Sequence, residues 1–229
     1  MSIHSLMASR ARAPVQRRSS RDDKRARILS AAVKVFARRG YFASRVADVA
    51  RAAGVADGTI YLYFQGKEDL LVSLFEEVMA EHVARARAEL QRVEGAPEKL
   101  RVLAEHHLGA LGSDRDLAVV FQVELRQSTQ FMRRFTASWL ADYLSAVDAV
   151  IEEGQRDGSL RADLPRKVVV KAFFGALDEM VTSWVVGGKD YDLARLAGPV
   201  VDLLLRGAAA GGARARTRTR SSRRGRGGQ

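Results

Sequence analysis

The chain has 229 residues, with 38 Lys and Arg against 27 Asp and Glu, a formal net charge of +11 and no cysteine. Such a length allows one or two domains with a proper hydrophobic core. The missing cysteine excludes disulfide scaffolds, thiolate metal sites and thiol nucleophiles, and suits a reducing cytoplasm.

The positive charge is concentrated at the ends. Residues 1–21 hold five arginines and no acid, and residues 207–229 hold seven arginines and no acid. Between them, 22–70 is net +3 and 71–206 net −4. Residues 1–21 lack hydrophobic periodicity and read as a disordered basic arm; the Gly, Ala and Arg of 207–229 read as a disordered tail. No apolar run is long enough for a signal peptide or a membrane span, so a cytoplasmic protein with no membrane partner is expected.

Ser20, Asp22 and Asp23 open a first helix, whose apolar positions Ile28, Leu29, Ala32 and Phe36 recur at helical spacing up to Gly40. A second short helix buries Val46, Val49, Ala50 and Ala53, with Ser44 placed to cap its first N–H groups. Gly54 turns the chain. A third helix is anchored by Ile60 and Phe64 and turns Thr59, Tyr61 and Tyr63 outward. Two short helices joined by a tight glycine turn form a helix-turn-helix, whose second helix can enter a DNA major groove. This makes 22–70 the candidate DNA-binding domain and 71–206 a separate helical body.

A long fourth helix over roughly 67–93 carries Leu71, Phe75, Val78, Val83, Ala86 and Leu90. Pro97 suits the first turn of a fifth helix bearing Leu100, Leu103, Ala104, His107, Leu108 and Leu111. Ser113 and Asp116 suggest a capping box for a sixth helix that runs to about Gln127. On an α-helical wheel started at Leu117, Glu124 falls at about 340° and Phe121 at about 40°, which puts the carboxylate on the apolar face. A buried carboxylate needs a partner, so Glu124 reads either as a polar anchor in a ligand pocket or as a structural contact. A seventh helix over roughly 129–153 includes Phe131, Phe135, Trp139 and Tyr143. An eighth opens at Pro165, with Val169, Phe173, Ala176, Met180 and Trp184 as its stripe, and stops at Gly187-Gly188. Asp192 to Arg206 forms a ninth. No segment alternates with period two, so the fold class is all-α, with almost no strand.

The stretch G-V-A-D-G-T-I-Y-L-Y-F from Gly54 to Phe64, and the run K-E-D-L-L from Lys67 to Leu71, resemble the TetR family of transcriptional regulators. The architecture over 22–206 resembles it too: a helix-turn-helix followed by a helical effector-binding and dimerisation domain. The resemblance implies that Ser44, Arg45, Asp57, Thr59, Tyr61 and Tyr63 face a pseudo-palindromic double-stranded DNA operator. It also implies that Gly58 admits close backbone approach and that Lys67 clamps a phosphate. Ala56 stands where many relatives have a capping Ser, which leaves that helix end short of one cap unless Asp57 replaces it. By the same resemblance the last two helices pair across a two-fold axis, with Phe173, Ala176, Met180, Leu196, Val200, Leu203 and Leu204 at the homodimer interface.

V-E-L-R-Q-S from Val123 to Ser128, G-A-L-D-E-M-V-T-S-W-V from Gly175 to Val185, and Y-D-L from Tyr191 resemble acyl-CoA-responsive repressors of fatty-acid degradation within that family. This implies a small hydrophobic effector, a fatty acyl-CoA, and no resident cofactor. The candidate ligand residues are His107, Phe121, Glu124, Arg126, Phe131, Phe135, Trp139, Phe174 and Trp184; His107 and the aromatic residues also read as ordinary core packing. Arg126, Arg133 and Arg134 would suit a coenzyme A phosphate, though all three also read as solvated surface. A drug-sensing repressor of an efflux operon and a non-specific DNA-organising protein are the alternatives. Adjacent His106 and His107 point about 100° apart on a helix, so no metal site is expected. With no phosphate loop and no nucleophile–base pair, the chain is not expected to be an enzyme.

Overall fold

The computed structural model describes residues 20–127, 133 and 139–208. Among them it has nine α-helices and no strand. They are α1 (Ser20–Arg39), α2 (Val46–Ala53), α3 (Asp57–Ile60), α4 (Lys67–Leu90), α5 (Ala96–Gly112), α6 (Arg115–Val119), α7 (Trp139–Asp157), α8 (Arg166–Gly187) and α9 (Ala197–Ala208). The N-terminal part of the expected seventh helix, with Phe131, Phe135 and Arg134, lies outside the described residues, as do both arginine tails.

The first three helices pack around Ile28, Ala32, Phe36, Val49, Ala50, Ile60 and Phe64, all buried. Gly54 adopts φ 65°, a left-handed conformation in which a side chain is strained, and its N–H bonds back to α2. Ser44 does not cap α2: its hydroxyl donates to Gly40 O at 2.7 Å, and Arg45 occupies the N-cap. The acceptor at this helix start is Asp48, whose Oδ2 takes the Arg45 N–H at 3.0 Å. At α3 neither Ala56 nor Asp57 supplies a side-chain cap; Asp57 is the first helical residue.

In the body, α5 is the central helix, packed by α4, α7, α8 and α9. Lys99 pairs with Glu153 of α7 at 2.7 Å, and Arg101 with Asp202 of α9. Two expectations about helix faces change. The N-cap of α6 is Asp114, which accepts the Leu117 N–H, while Ser113 donates its hydroxyl to Ala110 O. On α8 the buried stripe is Val170, Phe173, Leu177, Val181 and Trp184, so Val169, Ala176 and Met180 lie beside the inward face.

Gly154 marks a close crossing of α7 with α5. A Cβ there would stand 2.6 Å from Ala96 Cβ and 2.7 Å from Leu160 Cδ1. Ala96 is a rigid neighbour on α5, so Gly154→Ala must push α7 off α5. Urea unfolding should register a loss of about 1–3 kcal/mol, the usual range for overpacking.

Candidate DNA-reading surface and ligand cavity

The second helix of the helix-turn-helix presents polar groups outward. Asp57 and Gly58 are exposed, Tyr61 is 60% exposed, and Thr59 and Tyr63 are half-buried. Arg45, at the N-cap of α2, is exposed. Phe42 and Leu62 are exposed too, Leu62 at 72%, and the sequence pattern alone did not single them out. An apolar side chain that faces solvent inside a helical period leaves no periodic signal.

Two residues expected to touch DNA are used inside the protein instead. Ser44 is buried with its hydroxyl turned to the carbonyls of Gly40 and Val35, so it offers nothing to a groove. Lys67 Nζ donates to Tyr41 O at 2.8 Å, Ser44 O at 2.9 Å and Phe42 O at 3.2 Å. An ammonium has three protons, so these bonds leave none for a phosphate. Lys67 also lies 4.4 Å from the centre of the Tyr41 ring. Partial burial lowers its pKa below the ordinary lysine value. The lysine braces the turn between α1 and α2.

Behind this region the body encloses a largely apolar cavity of about 250 Å³. Val83, Ala86 and Leu90 come from α4, Leu103 and His107 from α5, Phe121 from the segment after α6, and Phe174 from α8. Its polar wall is a connected network. Asp178 on α8 accepts from Arg126 at 2.6 and 2.8 Å and from Gln122 at 3.0 Å, and Thr182 donates to Gln122. Arg126 thus lines the cavity already paired with Asp178 through one of its terminal nitrogens.

His107 is 9% exposed, and its ring lies 5.5 Å from that of Tyr143 and 5.7 Å from that of Phe174. Burial lowers its pKa to about 4 against a smaller opposing pull from Asp178. The imidazole is therefore neutral at physiological pH. Burial likewise raises the Tyr143 hydroxyl above its ordinary pKa.

Trp184 does not line this cavity. Its ring lies beneath the Arg115 guanidinium at 4.5 Å, and the same arginine donates to Trp184 O at 2.6 Å, closing the end of α8. Arg133 is exposed, and the side chain of Trp139 lies outside those described.

Glu124 departs furthest from its expected place. After Val119 the helix widens into a π-turn over Val120–Glu124, in which Leu125 N–H reaches back five residues to Val120 O. The extra residue in the turn shifts everything after it relative to an α-helical wheel. Phe121 and Gln122 line the cavity, whereas Glu124, 6% exposed, turns the other way. Its Oε2 accepts the Tyr41 N–H at 2.6 Å, in the turn that Lys67 braces. Glu124 is therefore not a cavity ligand; it joins the body to the helix-turn-helix.

Comparison with known proteins adds to this geometry. Residues 28–74 match the family described as bacterial regulatory proteins, tetR family, and residues 75–207 match the C-terminal region of YsiA-like proteins. The fatty acid metabolism regulator protein of Bacillus subtilis (strain 168) is 41% identical over 180 residues, which are 79% of this chain and 93% of that protein. The crystal structure of the transcriptional regulator FadR from Bacillus subtilis in complex with stearoyl-CoA superposes with TM-score 0.75 at 41% identity, covering 80% of this chain and 98% of that one. The fatty acid degradation regulator FadR from Bacillus halodurans gives 0.74 at 42% identity, covering 82% and 99%.

The buried neutral histidine predicts an acid sensitivity. Below pH 6.5 the unfolded chain binds a proton at His107 that the folded chain refuses until about pH 4. Stability is lost as pH falls through this window, by about 3 kcal/mol from this group at most. Urea titrations between pH 7 and 4 should give His107→Gln a shallower loss than the wild type.

Proposed function

The chain belongs to the TetR family of bacterial regulators, and on that premise we propose that it is a homodimeric repressor released from its operator by a long-chain fatty acyl-CoA. The reading rests above all on one short segment, Val120–Glu124, which lines the cavity with Phe121 and Gln122 and holds the DNA-binding turn with Glu124.

Several features support it. The 22–70 region is net basic and the body net acidic, so duplex DNA is drawn to one end of the molecule. Asp57, Gly58, Thr59, Tyr61 and Tyr63 occupy or follow the short reading helix, with Arg45 at the start of α2. The cavity is apolar enough for a hydrocarbon chain, and a regulator 41% identical is known with stearoyl-CoA bound. Exposed Arg87 lines its rim and would meet the coenzyme A end.

The dimer would form through α8 and α9. Val168, Val186 and Leu203 are exposed there, and an apolar groove runs past Val169 and Leu204. Leu203, with Ala176, Met180, Leu196, Val200 and Leu204 at least partly open, fits a two-fold contact. Phe173 does not: at 3% exposure it is used within its own subunit. Two-fold pairing matches half-sites about 34–36 Å apart, a spacing that tolerates little change.

Two connections would carry the response. Helix α4 runs as one rod from Lys67, beside the turn, to Leu90 on the cavity wall. The π-turn links Phe121, packed at 4.3 Å ring to ring on Phe75 of α4, to Glu124 and Tyr41. An acyl chain shifts the equilibrium only by binding the released arrangement better than the DNA-bound one.

Mobility shifts of DNA from around the chain's own gene, near physiological salt, should show a specific complex released by micromolar palmitoyl-CoA and not by free coenzyme A. A specific complex indifferent to palmitoyl-CoA would sink the acyl-CoA reading and send the search toward drug-like effectors. Glu124→Gln replaces the carboxyl acceptor by a weaker amide one, and Glu124→Ala removes it. Palmitoyl-CoA binding by calorimetry should stay within about twofold, while the ligand's effect on DNA affinity should fall in that order, by about fivefold or more for Ala.

A further inference from the structure

The cavity holds a polar group that the internal network does not use. His107 Nε2 is fully buried and has no hydrogen-bond partner among the described residues. Its neighbours on the polar wall are committed: Gln122 and Arg126 to Asp178, and Thr182 to Gln122. An unmet buried polar nitrogen is costly, and native structures seldom keep one without a use. The imidazole cannot swing freely, because it lies between the rings of Tyr143 and Phe174.

Its chemistry narrows what it could meet. A neutral imidazole with its proton on Nε2 donates one hydrogen bond and carries no charge. That suits an uncharged carbonyl oxygen and offers little to a carboxylate, which would also meet Asp178 nearby. The basic groups on the wall do not change this. Arg126 holds both oxygens of Asp178, His106 Nε2 lies 2.8 Å from Glu89, and Arg87 is exposed at the rim. A purely hydrocarbon ligand would leave Nε2 unmet.

We propose that His107 is the residue that reads the carbonyl of an acyl thioester, donating from Nε2 to its oxygen, and so sets the cavity's preference for an acyl group over a plain alkyl chain. This rests on the acyl-CoA reading above and deepens it: the hydrocarbon supplies affinity without direction, and the one carbonyl fixes where along the cavity the chain sits. Leu103 and Phe174 give the chain its apolar walls, and the coenzyme A end is left toward the rim.

The test removes each partner in turn. Palmitoyl-CoA and its thioether counterpart S-hexadecyl-CoA, which lacks only the carbonyl oxygen, are titrated into the full-length protein by calorimetry. The wild type should bind the thioester about tenfold more tightly, since one buried hydrogen bond and the relief of an unmet donor are at stake. In His107→Leu the ratio should collapse to about one. His107→Gln, which keeps an N–H donor, should restore part of it and guards against a variant that merely packs badly. Equal binding of the two ligands by the wild type, or a ratio that survives in His107→Leu, would overturn the assignment. Palmitate should bind more weakly than palmitoyl-CoA; palmitate bound as tightly and lost in His107→Leu would overturn the thioester in favour of a free acid. Absence of any binding by palmitoyl-CoA or its thioether would instead refute the acyl-CoA reading, and this proposal with it.

Discussion

One buried hydrogen bond joins the two halves of this molecule: the Tyr41 N–H points at the Glu124 carboxylate across 83 positions of chain. Burying a carboxylate is expensive unless its oxygens are satisfied, and burying a backbone N–H without an acceptor is expensive as well. Each therefore holds the other in place. The consequence spreads from there. Tyr41 is fixed at its nitrogen by the body and at its oxygen by Lys67, so the turn ahead of α2 has little freedom to move independently of the body. The turn that carries Glu124 also carries two residues of the cavity wall, so shape changes in the cavity have a short physical route to that turn.

The cavity is built on a different economy. Helix α5 supplies a wall because it is surrounded by α4, α7, α8 and α9, and a central helix must place something at each contact. Most of those positions are aliphatic. His107 is the polar residue of the helix that is buried, and burial keeps it uncharged. Asp178, close by, is paired with Arg126 and oriented by Gln122, while the histidine Nε2 has no hydrogen-bond partner among the described residues. A cavity so arranged favours a long apolar ligand with a single polar atom at a defined depth.

Several side chains that suit an external partner prove to be occupied within the fold, for one recurring reason. A cation or hydroxyl near an unpaired backbone carbonyl finds an acceptor at no cost in translational freedom, whereas a partner molecule must be captured from solution. Lys67 takes three carbonyls of the α1–α2 turn, and Ser44 takes that of Gly40. Arg115 takes those at the end of α8, with Trp184 beneath it. Phe173 is the apolar counterpart, buried against its own helices before a second subunit can use it.

The sequence by itself determined the helices, because a period of 3.6 in apolar residues, a left-handed glycine at Gly54 and a proline at Pro97 act over a few residues. It also determined the family resemblance, since the Gly54–Phe64 stretch puts small, aromatic and hydroxyl side chains at the spacing that a reading helix needs. His107, Phe121 and Phe174, which the family resemblance made candidates, line the cavity. Glu124 could not be placed from the sequence, because its direction depends on a π-turn, and a wheel assumes that every turn is α-helical. Whether Lys67 and Arg126 were free or spoken for was equally out of reach. Their partners lie more than twenty and more than fifty positions away in the chain. Only the tertiary structure brings those groups within hydrogen-bonding distance and so decides which charges remain for another molecule.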